Sequence, residues 1–341
     1  VDMSAADIIL TDSVTDISTL DTTLTYTTGT VTLQTVNESK ADLAKLANNG
    51  GAYGDVKLAG TAITVSDSVS KAEADTIDAY HGGSGTVTIG EITANAADLK
   101  LLHEDTTISI AGATINLSGA ITDKSTIETV LGYTTGTVKI ATITEDKTDL
   151  ASIALASGTF AKASLATANI TVSDSVNKTE ADAIDAYGTG TVTLTTASGS
   201  STDLKALNDD TTISIAGSLL TLTGTVDQST VNTVDGYSTK TVTVSAITDN
   251  IANVKKIYDV RPTGGAGSNG VDMGAANITL TDSVTDIATL DNTLTYTTGT
   301  VTLQTVNESK ADLAKLALNS GAYADVKLAG ADITVSDAVN K

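Results

Sequence analysis

Short alternating runs set the pattern of this chain. In "GTVTIGEIT" (Gly85–Thr93), Val87 and Ile89 stand between Thr and Gly residues, the two-residue period of a half-buried strand. The run passes into "ANAADLKLLHED" (Ala94–Asp105), whose apolar spacing and opening Asn predict a short helix. Two more strand-like runs, "TTISIAG" and "ATINLSG" (Thr106–Gly119), meet at a tight bend, and "KSTIETVLGY" (Lys124–Tyr133) predicts another helix. Helix starts carry Ser, Thr, Asn or Asp with an acid three residues on, as in Ser70 and Glu73. Glycine just after the tyrosine is expected to supply the helix stop.

The same cassette recurs. "GTVTL" at Gly29 returns in variant form at Gly85, Gly136, Gly190, Lys240 and Gly299, centred on Val31, Val87, Val138, Val192, Val242 and Val301. Eleven residues after each Val comes an Asp-Leu slot, placing Leu43, Leu99, Leu150, Leu204 and Leu313, with Asn253-Val254 as the exception. Tyr26, Tyr80, Tyr133, Tyr187, Tyr237 and Tyr296 precede the same valines. Over this lies a longer period: residues 1–71 and 271–341 align without a gap, with 59 of 71 positions identical. Residues 1–270 thus read as one block of about five 53-residue units of two coils each, and 271–341 as the start of a second block. An irregular Gly/Pro loop interrupts the pattern at 259–272 and holds the only proline and the only arginine, Pro262 and Arg261.

Strands and helices this short cannot bury their apolar faces alone, but stacked coils can. The expected fold is an α/β repeat solenoid of stacked short parallel strands, about 4.8 Å apart, with short helices on one side. Each Val31-type residue is expected to lie over its counterpart. The chain is expected to continue beyond its ends, which look uncapped.

Composition narrows the function. A net charge of −22 argues against nucleic acid and anionic membranes, and favours solubility or divalent cations. No apolar run is long enough for a membrane span. One Phe, no Trp and no Cys leave few anchors for a binding hot spot and no disulfides. No P-loop, dinucleotide fingerprint, nucleophile elbow or H-E-x-x-H is present. His81 and His103 have no histidine in the sibling units, and the single arginine argues against lyase chemistry, so no enzyme and no resident cofactor is expected. Asp12, Asp67, Asp174 and Asp282, at strand ends in "TDSVTD" or "SDSV", are the calcium candidates; helix capping is the competing expectation, because Gly119 and Gly224 fill that slot in two units. Thr-x-Thr ranks invite an ice-binding comparison but are interrupted at Lys139, and the tyrosine row offers either helix-end cover or a sugar platform. Sequons stand at Asn37, Asn116, Asn169, Asn177, Asn277 and Asn307.

"ITVSDSVSKAEADTIDAY" (Ile63–Tyr80) and "GTVTLTTASGSSTDLKAL" (Gly190–Leu207) resemble the repeat regions of very large secreted or surface proteins of bacteria, particularly cyanobacteria and proteobacteria. The resemblance covers nearly the whole chain and implies adhesins, matrix fibres, surface-layer coats or motility-associated surface proteins, with no catalytic residues to carry over. The expected role is structural, an extracellular or cell-surface stalk or filament that partners itself. The alternative is an adhesin module for glycans or a receptor.

Overall fold

The computed structural model describes residues 3–48, 51–262, 269–318, 320–328 and 330–337. The chain is an α/β protein of parallel strands and short helices, divided into two compact units: residues 1–170 with 187–190, and 171–186 with 191–341.

In each repeat the first half contributes one strand, such as Val87–Ala94, and a helix, Ala96–Glu104. The second half contributes a two-residue strand, Ile108–Ser109, a turn, a longer strand, Thr114–Ile121, and a helix, Lys124–Leu131. The two second-half strands do not form a hairpin. Both lie parallel to the same first-half strand, Ile108 beside Val87 and Ile115 beside Ile92.

Within each unit strands pair with strands a half-repeat away, so the ladders climb diagonally through the sequence. In the first unit, one rung line runs Val14, Val36, Ile63, Val87, Ile108, and the next runs Val69, Ile92, Ile115, Val138, Ala163. In the second unit the line Val226, Ile247, Ile278, Val301, Val326 repeats the arrangement. All of these residues are buried. The expectation that each Val31-type residue lies over its counterpart is therefore corrected. Val31 sits between Ile8 and Val56, and Val87 between Ile63 and Ile108, so the Val positions are flanked by second-half residues. The reason is the half-repeat: two unlike halves alternate, and equivalent residues such as Val87 and Val138 fall on different rung lines. Leu43, Leu99, Leu150 and Leu204 are buried on their helices, while Leu313 is half-buried.

Successive helices pack against one another, Lys40–Ala47 on Lys71–Asp78 on Ala96–Glu104 on Lys124–Leu131 in the first unit. Each of these is held at its start by its own cap: Ser39, Ser70, Asn95 and Asp123 accept from backbone N–H groups of the first turn.

The helix stops differ from expectation. The residues that end the helices before Tyr26, Tyr133, Tyr187, Tyr237 and Tyr296 are right-handed (Thr25, Gly132, Ala186, Gly236, Thr295), so no left-handed glycine stops them. Only before Gly85 does a left-handed Gly82 follow the tyrosine turn. The glycine of the "GTV" motif is needed for close approach instead. A Cβ on Gly136 would stand 2.2 Å from Ala113 O, and one on Gly299 would stand 2.3 Å from Ala276 O. Lys240 fills this place in one repeat, and nothing in the structure explains it.

Of the loop expected over 259–272, residues 263–268 lie outside the described residues. Asp259 is still helical, and Gly270–Asp272 form the short strand of that half-repeat. The insertion leaves the ladder in register: Val271 pairs with Val242 as Ile213 pairs with Val192.

Candidate functional site

The calcium candidates resolve first. In four of the second-half strands the pairing skips one residue, between Val65 and Ser68, Leu117 and Ala120, Leu222 and Thr225, and Leu280 and Ser283. This bulge holds Asp67 and Asp282 in two repeats and Gly119 and Gly224, with φ of 88° and 82°, in two others. The aspartates cap helices, but of the preceding half-repeat rather than their own. Asp67 Oδ1 accepts from Lys40 N at 2.8 Å, and both carboxylate oxygens of Asp282 accept from Ile251 N at 3.2 Å. Asp337 does the same for Lys310 N at 2.9 Å. Each helix so reached therefore has two caps, its own on the third N–H and the following half-repeat's on the first. Asp174 is half-buried in Asn169–Val176, and Asp12 is exposed. Asp67, Asp174 and Asp282 stand on three different strands, Asp12 lies in the bend after Ile8–Leu10, and among the described residues no group of three or more His, Asp or Glu side chains is placed to hold a metal ion.

The turn after Tyr26, Tyr133, Tyr237 and Tyr296 is a second repeated construction. Thr27, Thr134, Ser238 and Thr297 donate through their hydroxyls to the carbonyls of Ala6, Ala113, Ser218 and Ala276 at 2.5–2.6 Å. The same hydroxyls accept from Gly29, Gly136, Lys240 and Gly299 N. His81 takes this place in its repeat. It is fully buried; Nδ1 accepts from Gly83 N and Gly85 N at 3.1 and 3.2 Å, which puts the ring proton on Nε2, 3.0 Å from Asp78 Oδ1. His103 lies elsewhere, stacked on Tyr133 with centroids 4.4 Å apart. The two histidines therefore serve separate structural contacts. Tyr258 stacks on Tyr296 at 4.0 Å, with the Arg261 guanidinium 4.2 Å over Tyr258. Tyr80, Tyr133, Tyr187, Tyr237 and Tyr296 are half-buried; Tyr26 is exposed.

Buried acids are the feature that sequence reading missed. Glu38 and Glu308 close their strands on the inward face and are 6% and 5% exposed. The signal was available: each stands two residues after an inward Val (Val36, Val306), where Ala94 stands in the next repeat. Burial pushes the Glu38 carboxyl up from its ordinary value, the negative charges of Asp42 and Asp16 add to this, and N–H bonds from Ile17 and Ser39 oppose it. Glu145 is raised mainly by burial too. Glu73 is the opposite case. The Ser70 backbone N–H, then Lys40 and the Ser70 hydroxyl, lower it to about 2.

Between paired helices runs a shallow groove that recurs at equivalent positions. One is lined by Lys40, Glu73, Thr76, Ile77 and Tyr80 (280 Å³). Others are lined by Lys100, Ser125, Thr129 and Tyr133 (290 Å³), and by Lys205, Ser229, Thr233 and Tyr237 (270 Å³). No helix among the described residues is long and apolar enough to cross a membrane. Fold and sites together define an α/β protein of repeat-like, parallel-strand architecture. Compared with protein-family models, with curated proteins and with solved structures, the chain finds no significant match.

Asp67→Ala should lower stability by about 1 kcal/mol, the worth of a helix cap, equally with calcium or with chelator in a thermal melt. A loss seen only in the presence of calcium would make Asp67 a ligand instead. Glu38 has a raised folded pKa, so its contribution is complete below the unfolded value of about 4.3 and lost as pH rises through the folded one. Glu38→Gln should accordingly raise the melting temperature at pH 7, with the gain shrinking towards pH 4. The lowered Glu73 works in reverse, contributing above about 4.3 and losing that contribution as pH falls towards about 2.

Proposed function

We propose that the chain is a solenoid segment with its helices along one side, serving as a structural protein: a stalk, a filament or a fibre of an extracellular matrix or surface layer. The observation that carries the reading is the alternating ladder, in which a buried rung such as Ile92 is paired on both sides by a neighbouring half-repeat, Val69 before and Ile115 after. A fold made this way extends by adding halves. The repeated acids and the net charge of −22 would keep neighbouring fibres apart in low salt. The resemblance to giant surface proteins favours a place outside the cell.

The test is to lengthen the chain by whole repeats and image the products by electron microscopy. Each added 53-residue unit should extend the particle by about 9.6 Å, two strand spacings, at constant width. Growth in all three dimensions would overturn the reading.

The recurring helix groove favours a second reading, an adhesin whose Tyr80, Tyr133 and Tyr237 ring faces, with nearby hydroxyls and lysines, take the sugar rings of a glycan chain. On a glycan array the unaltered chain should then bind a saccharide, and the triple change to alanine at these tyrosines should abolish binding while the fold survives. Binding that persists in the triple variant would exclude this groove.

A further inference from the structure

The insertion between Val242 and Val271 ends in a dipeptide, Asn269–Gly270, that no sibling half-repeat has at this place. Asn269 is exposed, and Gly270 is buried at the head of the strand Gly270–Asp272. Gly270 has φ of 130°, a backbone state that glycine alone adopts readily. A Cβ there would stand 2.5 Å from Val260 O and 3.0 Å from Arg261 C, so packing keeps this position bare. An unshielded main-chain nitrogen therefore follows an exposed carboxamide. In two siblings the equivalent amide is held by an aspartate two residues before it. Thr107 N donates to Asp105 Oδ1 at 2.7 Å, and Thr212 N donates to Asp210 Oδ1 at 2.8 Å. In the sequence a serine, Ser268, takes the place of that aspartate before Gly270.

We infer that Asn269–Gly270 is a site of spontaneous modification, where the folded chain converts its own asparagine to aspartate and isoaspartate without an enzyme. The Gly270 nitrogen attacks Asn269 Cγ, the Cγ–Nδ2 bond breaks, and ammonia leaves with the amide proton. The attack is intramolecular, and the exposed Asn269 presents the resulting five-membered imide to water. Water opens the ring at one of its two carbonyls. Opening at Cγ gives aspartate, and opening at the main-chain carbonyl gives isoaspartate, with one extra carbon in the backbone. Asparagines elsewhere are guarded by their neighbours. Asn116, Asn169 and Asn277 lie in strands and precede Leu117, Ile170 and Ile278, whose branched side chains crowd the attacking nitrogen. Asn116 Nδ2 also donates to Glu91 Oε1 at 2.7 Å, and Asn277 Oδ1 accepts from Thr300 N at 3.0 Å. Either product puts a carboxylate in the segment that packs on Arg261, the chain's only arginine, whose guanidinium rests on Tyr258. The insertion absorbs the extra carbon, because it enters ahead of the rung and Val271 stays paired with Val242.

The experiment incubates the full chain at mildly alkaline pH and physiological temperature, and maps its peptides over time by tandem mass spectrometry. Asn269 should first lose ammonia and then gain water, at least tenfold faster than Asn116, Asn169 and Asn277 change. Both aspartate and isoaspartate should appear, resolved by chromatography against synthetic standards. A second Asn-Gly, at 49–50, lies outside the described residues and is read on its own peptide. Asn269→Gln should abolish the change at this position and melt like the unaltered chain. Asn269→Asp installs one product from the start. It should leave hydrogen exchange unchanged at the Val271 amide, which donates to Val260 O at 3.1 Å. Unfolding the chain in urea should speed the reaction at Asn269 by less than threefold. An Asn269 that stays intact, that reacts no faster than the strand asparagines, or that reacts only in urea would overturn the inference. Loss of protection at Val271 as the products accumulate would overturn it too.

Discussion

Burial in this protein depends on a neighbour supplied by the next half-repeat. A half-repeat has one strand line and one short helix, and that is too little to enclose its own aliphatic residues. The duplicated sequence makes the dependence visible. Met273 and Ala276, followed and preceded by paired strands, are buried, while Met3 and Ala6, the same residues at the other end of the period, are exposed. Each aliphatic side chain so covered contributes roughly 1.5–3 kcal/mol relative to exposure. Stability in such a fold is set by the interfaces between halves as much as by the halves themselves.

Apolar rungs alone would tolerate slippage, because Val, Ile and Leu substitute for one another along the ladder. The polar contacts remove that freedom. Asp67 on Lys40 N, Asp249 on Gln228 N and Asp282 on Ile251 N each tie a strand to the helix of the half-repeat before it. The hydroxyls of Thr27, Thr134 and Thr297 tie the following turn to the preceding carbonyl. A shift of one residue would turn the rungs to solvent and break these contacts together. Charge that looks in sequence like a cation-binding ladder is thus used at helix N-termini, where backbone N–H groups already favour a carboxylate.

Much of the fold was legible because periodicity reports directly on burial. The Val31-type positions, the Asp-Leu slot and the capping residues Ser39, Ser70 and Asn95 follow from spacing and local hydrogen bonding. What was illegible is non-local. The repeat of 53 residues hides that pairing occurs between unlike halves, so Val87 meets Ile63 and Ile108 and not another central Val. Glycine after tyrosine suggested a helix cap, but its cause is the carbonyl of a residue more than twenty positions earlier. The choice of Asp or Gly in the bulge is plain in the sequence, but its partner, a backbone amide in the preceding half-repeat, cannot be read from local pattern. Glu38 was overlooked because an acid at an inward position looks like the end of a strand.

The interrupted unit shows that loop length and strand frame are separable in this fold. Val192 and Ile213 pair across 21 positions, while Val242 and Val271 pair across 29, yet Val242 and Val271 are both fully buried. The extra residues enter between a helix and a short strand, where no rung is displaced. Beside that insertion stand Arg261, Tyr258 and Tyr296, the one place where a guanidinium joins the aromatic row. Loop length can therefore change freely at this point, since loop closure costs little more for a longer loop, whereas the rungs cannot change without exposing the half-repeats on both sides. Variation that gives one such segment a distinct contact is accordingly expected in turns and along the helix row, with the strand ladder left as the invariant support.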